Sequence, residues 1–225
     1  MMLPKQQRHQ GIGMTSPRTR ERLVERLRDK GIHDEQVLRA IATTPRHVFV
    51  DEALSTRAYE DTALPIGMGQ TISQPYIVAY MTQELLAGRE KLDKVLEVGT
   101  GSGYQSAVLA GLVNKVFSLE RIEPLLKEAR RRFHRVGLHN VYTRHANGAE
   151  GWQTQAPFDA IIITAAGPRI PPELLAQLAE GGRLVAPVER GDGQRLILVS
   201  RDDAGEYQEK DLGTVTFVPL LEGLS

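Results

Sequence analysis

The 225-residue chain contains no cysteine. That excludes disulfides, thiolate nucleophiles and cysteine-based zinc sites, and it fits a reducing compartment. An excess of either charge is also missing: 28 Lys and Arg face 28 Asp and Glu. A balanced chain is poorly suited to broad electrostatic capture of nucleic acid or anionic membrane, although a local basic patch stays open. No stretch approaches the roughly 18 apolar residues needed to span a bilayer. The segment Met1–Met14, with Lys5, Arg8 and His9, has no apolar core of the signal-peptide kind. A soluble, cytoplasmic protein is expected. Internal repeats and low-complexity segments are absent as well.

What is present is ordinary for a globular chain. Hydrophobic residues make up 41%, enough for a sizeable core. The length suggests one α/β domain, with or without a small appendage. Residues 1 to about 14 read as a loose tail, leaving 15–225 as the domain. Within it, 15–90 supply helices and a loop, and 91–225 supply a sheet.

Ser16-Pro17 starts a helix, with Ser as N-cap and Pro in the first turn. Leu23, Val24 and Leu27 form its apolar stripe, and Gly31 ends it. Asp34 is placed to cap a second helix that buries Val37, Leu38 and Ile41 and closes before Pro45. From Arg46 to Gln74 the pattern is irregular, with Pro65, Gly67 and Gly69 close together. A loop of this length in a compact domain is usually functional or disordered. Pro75–Leu86 reads as a helix.

From Lys94 the pattern changes to short apolar strands alternating with helices. Strands are expected at Val95–Val98, Val116–Leu119, Val141–His145, Ala160–Thr164, Leu184–Pro187, Leu196–Ser200 and Val215–Leu220. Helices are expected at Tyr104–Leu112, Glu123–Val136 and Pro172–Ala179, with a poorly defined stretch around Glu150–Gln155. Ala160-Ile-Ile-Ile-Thr164 is continuously apolar, as a strand covered on both faces should be. The alternation implies a doubly wound, mostly parallel sheet. No helix separates the last candidates, so the C-terminal part is expected to be antiparallel.

Gly99, Gly101 and Gly103 follow the first of these strands and open a helix. Such a turn lets backbone N–H groups approach a ligand closely, at the place where doubly wound sheets bind ligands. A dinucleotide site has the pattern Gly-x-Gly-x-x-Gly, but Tyr104 stands where its third glycine belongs. The spacing is Glu97-x-Gly99-x-Gly101-x-Gly103. Glu97 is placed either to accept backbone hydrogen bonds or to pair with a ligand's ammonium. Glu120 lies 21 residues after Gly99 at the end of the second strand. A carboxylate there accepts ribose hydroxyls. Together these point to an adenosine cofactor and favour a methyl donor. Asn147-Gly148, after the third strand, is either an adenine contact or an ordinary turn.

A second constellation is Thr71-Ile-Ser73-Gln-Pro75. Ser73 is placed either to cap the helix that begins near Pro75, or to join Thr71 and the free N–H groups of the helix start in an anion site for a carboxylate. Six scattered histidines show no metal-ligand spacing, and no metal is expected. Arg130, Arg131, Arg132 and Arg135 spread around one predicted helix and read as a solvated face.

These blocks carry a resemblance. The chain resembles the protein-L-isoaspartate O-methyltransferase family over nearly all of its length after residue 14. The likeness rests on Pro45-Arg-His-Val-Phe-Val50, Leu64-Pro-Ile-Gly67, Gly69-Gln-Thr-Ile-Ser-Gln-Pro75, Val95-Leu-Glu-Val-Gly-Thr-Gly-Ser-Gly-Tyr104 and Phe158-Asp-Ala-Ile-Ile-Ile-Thr-Ala-Ala166. Gly181-Gly-Arg-Leu-Val-Ala-Pro-Val188 and Phe217-Val-Pro-Leu220 add to it. The Gln-Thr-Ile-Ser-x-Pro block is the part specific to this family.

The resemblance implies a Rossmann-like class I methyltransferase fold of seven strands with an N-terminal helical extension. It implies transfer of a methyl group from S-adenosylmethionine to the free α-carboxylate of isoaspartyl residues, giving S-adenosylhomocysteine. Ser73 matches the active-site serine. Substrate contacts are expected from Thr71, Ile72, Ser73, Gln74 and Pro75. Cofactor contacts are expected from Ile72, Ser73, Glu97, Gly99, Thr100, Gly101, Ser102, Gly103, Glu120, Arg121, Asn147 and Gly148. The family usually has Gly-Asp-Gly where this chain has Ala146-Asn147-Gly148; Asn keeps an acceptor but loses the charge. The expected partners are damaged proteins and peptides, not nucleic acid or membrane, and a monomer is expected. The rivals are a methyltransferase of a small acid or RNA, an NAD-dependent oxidoreductase, and a non-catalytic binding module.

Overall fold

Ala160, Ile161, Ile162 and Ile163 are at most 1% exposed, and the rest of the fold is arranged around the strand they form. Burying each isoleucine contributes roughly 1.5–3 kcal/mol. The computed structural model describes residues 11–89 and 91–225. The expected tail falls mostly on residues 1–10, outside the described residues; Gly13–Thr15 is a 3-10 turn closed by the Thr15 N–H on the Ile12 carbonyl.

Helix α1 spans Pro17–Asp29 and α2 spans Glu35–Thr43. Asp34 caps α2, accepting the N–H groups of Gln36 and Val37 at 2.8 and 3.1 Å. Ser16 occupies the N-cap position of α1, but its hydroxyl pairs with that of Thr19 instead of the backbone. The irregular stretch that follows holds two 3-10 turns, Arg46–Val48 and Glu52–Arg57, and a small hairpin. Its strands are β1, Leu64–Gly67, and β2, Gln70–Ile72. Leu64 and Ile72 pair across it and are both buried. Helix α3, Pro75–Leu86, then leads to the main sheet.

That sheet has seven strands: β3 (Lys94–Val98), β4 (Lys115–Glu120), β5 (Val141–His145), β6 (Phe158–Ile163), β7 (Leu178–Arg190), β8 (Gly193–Arg201) and β9 (Tyr207–Val215). Their order is β5-β4-β3-β6-β7-β8-β9. The first five strands in sequence are parallel; β8 is antiparallel to β7, and β9 to β8. Helices α4 (Tyr104–Ala110), α5 (Glu123–Val136) and α6 (Pro172–Ala176) accompany them. One sheet face buries Val95, Val116, Ala160 and Ile162 with Met81 and Leu85 of α3. The other buries Leu96, Phe117, Ile161 and Ile163 with Leu174 of α6 and Trp152.

The last strand lies earlier than expected. Val215–Leu220 is not a strand; the chain pairs over Tyr207–Val215 instead. Residues 207–211 are all exposed, so this edge is held by backbone pairing to β8 and shows no apolar alternation. The Gln194 side chain then accepts the Phe217 N–H at 2.6 Å and donates to its carbonyl at 3.1 Å. This turns the chain away from the sheet edge. Among the described residues, no helix is long and apolar enough to cross a membrane.

The chain leaves β3 outward to β4 and β5, then returns to β6 on the other side of β3. That reversal opens a crevice beyond the C-terminal ends of β3 and β6.

Candidate active site

The crevice forms a cleft, at the place where doubly wound sheets bind ligands. Its walls come from residues 70–73, the loop after β3, residues 119–122, Gly148, Thr164 and residues 218–221.

The loop after β3 is held from below. The N–H groups of Gly99 and Thr100 both reach the Leu119 carbonyl, at 2.9 and 3.0 Å. Gly99 has φ +99°, and a Cβ there would collide with the Thr164 hydroxyl. That hydroxyl donates to the carbonyls of Val98 and Gly99. Gly103 has φ +89°, and a Cβ would sit 2.6 Å from the Phe133 ring. Neither position has room for a side chain. Arg132 of α5 braces the same loop by donating to the Ser102 carbonyl at 3.2 Å.

Glu120 is buried at the end of β4. Its Oε2 accepts the Gly101 N–H at 2.8 Å and its Oε1 the Ile122 N–H at 2.9 Å. A carboxylate has about four acceptor positions, so half of its capacity is left on a group that lines the cleft. Arg121 is the other charged residue among the described ones that line it.

Ser73 and Thr71 line the same cleft. Ser73 is not the cap of α3. Gln74 occupies that position, and the Tyr76 N–H is taken by Asp61 Oδ1 at 2.8 Å. The Gln74 amide is fixed on the Asp61 carbonyl at 2.9 Å. With capping supplied by Asp61, the Ser73 hydroxyl stays available at the cleft.

The remaining wall is a strap. Val218 and Leu220 bond to Ala166, after β6, at 2.8 and 2.6 Å. Seven residues after Val218, the Ser225 N–H reaches the Arg121 carbonyl and its own carbonyl accepts the Glu123 N–H, each at 2.8 Å. Residues 218–225 thus run across the crevice from the end of β6 to the end of β4.

Comparisons with known proteins agree with this architecture. Residues 18–225 match the profile of the family described as protein-L-isoaspartate(D-aspartate) O-methyltransferase. The chain belongs to that family. It is 57% identical over 214 residues to a protein-L-isoaspartate O-methyltransferase of Stenotrophomonas maltophilia, covering 95% of this chain and 94% of that one. A Xanthomonas campestris pv. campestris relative of the same name is 56% identical over the same shares. Among solved structures, a Plasmodium falciparum putative protein-L-isoaspartate O-methyltransferase in complex with S-adenosyl-L-homocysteine superposes with a TM-score of 0.78. It is 27% identical, with 88% of this chain and 96% of that chain covered. Another protein-L-isoaspartate O-methyltransferase gives 0.80 at 27% identity, covering 91% of this chain and 67% of that chain.

The fold of this family member is the expected seven-stranded methyltransferase sheet with helices before it. Its residues also fit S-adenosylmethionine. Open backbone at the glycine loop and spare acceptor capacity on Glu120 suit an adenosine bearing a short charged tail.

Not every expected residue reaches the cleft. Thr71, Ile72, Ser73, Gly99, Thr100, Gly101, Ser102, Glu120, Arg121 and Gly148 line it. Gly103 shapes the loop from behind. Gln74 and Pro75 belong to the start of α3 and do not line it.

Glu97 departs most from expectation. It is fully buried beneath the loop, where Oε2 accepts the hydroxyls of Ser106 and Ser118, the latter at 2.6 Å. Ser118 in turn meets the Thr100 hydroxyl at 2.6 Å. Burial pushes the Glu97 carboxyl up to about 7, against the pull of the two serine hydroxyls. Glu97 supports the loop through Ser118 and Thr100 and does not touch the cleft.

Asn147 caps the 3-10 turn Gly148–Glu150. Its Oδ1 accepts the Ala149 N–H at 3.3 Å and its Nδ2 donates to Glu150 at 3.0 Å. The turn reading describes its side chain, while Gly148 presents backbone to the cleft.

Sequence reasoning missed Thr164, Arg132, Gln70 and the strap residue Leu221. Only Thr164 had a local signal, as the polar residue ending an otherwise apolar strand.

Proposed function

We propose that the chain transfers the methyl group of S-adenosylmethionine to the free α-carboxylate of L-isoaspartyl residues in damaged proteins and peptides. The observation that carries the reading is the position of Ser73: an uncommitted hydroxyl that lines the same cleft as the glycine loop and Glu120.

When bound, S-adenosylmethionine supplies a methyl carbon already activated by a positive sulfonium. The substrate carboxylate, with a pKa near roughly 3.5, is ionised at neutral pH, so no general base is required. Consistent with this, no histidine is among the described residues that line the cleft. Ser73 donates a hydrogen bond to one carboxylate oxygen and leaves the other for attack. A single neutral donor orients the nucleophile without quenching it, as an arginine pair would. Glu120 would hold the ribose hydroxyls, the backbone of residues 99–102 the amino-acid end, and Gly148 the base. The contribution of the site would be alignment, with the carboxylate oriented toward the activated methyl group.

The methyl ester is a better electrophile than the carboxylate, because it carries methoxide as a leaving group. The neighbouring backbone nitrogen attacks its carbonyl and expels methanol, closing a succinimide without the enzyme. Water opens that ring, and part of the product is normal aspartate.

We also propose that residues 15–225 act as one unit, as a monomer in the cytoplasm, with polypeptides and neither nucleic acid nor membrane as partners. Charge is balanced, and cysteine is absent. The decisive experiment uses labelled S-adenosylmethionine with an isoaspartyl peptide and its normal aspartyl twin. Labelling of the first alone is expected. Labelling of both equally, or of neither, removes the reading.

A further inference from the structure

The hairpin register pairs Gly67 with Gln70, which leaves Met68-Gly69 as a two-residue turn. Both have positive φ, 52° and 69°. This is the geometry that Asn-Gly adopts most readily. Met68 is the one non-glycine residue with positive φ among the described residues, and its side chain is 62% exposed. An apolar side chain thus stands in water at a backbone position that disfavours it. A local rule broken on a surface next to a functional cleft points to a use for the side chain.

The hairpin lies directly over the cofactor loop: Ile66 Cδ1 would be 3.5 Å from a Cβ built on Gly101. Its second strand supplies Gln70–Ile72 to the cleft wall, so the turn marks one rim of the mouth. The other rim is the strap, where Leu221 lines the cleft yet remains 48% exposed. Two other exposed large side chains have evident contacts: Tyr142 stacks on Phe117, and Tyr207 donates to the Leu175 carbonyl.

We propose that the two rims form a docking surface for the extended peptide around the modified residue, with Met68 and Leu221 gripping apolar side chains that flank it. This rests on the polypeptide substrate proposed above. A carboxylate held at Ser73 lies inside the cleft, and an extended chain advances about 3.5 Å per residue. Residues one or two positions away therefore fall at the mouth. Methionine suits this role because its unbranched, polarisable side chain adapts to differing partners. Two isolated contacts fit a short peptide stretch better than a folded partner, whose interface needs about 800 Å² a side.

The test compares two isoaspartyl peptides that differ only in their flanking residues, leucine against serine. Wild-type enzyme is expected to show about fivefold lower KM for the leucine peptide, the effect of partly burying one such side chain, with similar kcat. Met68→Asn keeps the left-handed turn and removes the apolar group; Leu221→Ser does the same for the strap. In the double variant the KM ratio is expected to fall to about one. Equal KM values in the wild type overturn this inference and leave the reaction standing. A ratio that persists in the double variant also overturns it, as does a change of oligomeric state on substitution, which would assign these side chains to self-association. Failure to methylate either peptide overturns the functional reading and this inference together.

Discussion

Glu120 accepts the backbone N–H of Gly101 through Oε2 at 2.8 Å. The group expected to hold the ribose is therefore the same group that ties the glycine loop to β4. Glu120→Ala removes both, and hydrogen bonds to a charged group contribute roughly 1.5–3 kcal/mol each. Calorimetry with S-adenosylhomocysteine is expected to show affinity reduced at least about tenfold. An unchanged affinity counts against the ribose assignment.

Ser73→Ala leaves that tie untouched. The capping of α3 belongs to Asp61, so the helix start is expected to survive. Cofactor affinity should stay within about twofold, while kcat falls roughly 10- to 100-fold through loss of one hydrogen bond to a charged group. Full turnover in this variant would remove Ser73 from the mechanism.

Glu97 gives a pH signature. Burial raises its carboxyl from the ordinary 4.5 to about 7, so between these values the folded chain binds the proton more tightly than the unfolded one. Its contribution to stability is fully present below about pH 4.5, declines as pH rises to 7, and is gone above. Glu97→Gln keeps an acceptor for Ser106 and Ser118 and cannot ionise. Urea unfolding across this range should show the variant gaining on the parent as pH rises. Parallel curves would show that Glu97 does not titrate there.

Gly99→Ala meets two obstacles, a φ of +99° and the Thr164 hydroxyl. A loss of about 2 kcal/mol or more is expected, seen as a lower Tm. Thr164→Ala in the same chain should recover only the part due to crowding. Complete recovery would mean that the backbone conformation costs nothing.

The strands legible in the sequence were those with continuous apolar runs, above all Ala160–Ile163. The β1–β2 hairpin was not, because three- and four-residue strands are too short to display a period. Nor was β9, whose polar residues owe their place to a neighbour's backbone. At the site, the glycine spacing announced the loop, and Glu120 was placed by its distance from it. The freedom of Ser73 was illegible because it depends on Asp61, twelve residues away and unconnected by any local pattern. Glu97 was readable in principle. Alternation with Leu96 and Val98 puts it on the Val95 side of β3, toward the helix that carries Ser106.

The strap has a consequence for how the molecule matures. Arg121 Nε bonds the Gly223 carbonyl across a separation of 102 residues, and positions 70–73 line the same cleft. Strands β3, β4 and β5 pair with near neighbours in sequence and can assemble early, but a contact of such long range forms late. During synthesis the sheet can be in place while one wall of the cleft is still missing. A nick between β9 and Val218 would thus spare the sheet while leaving the crevice open on that side.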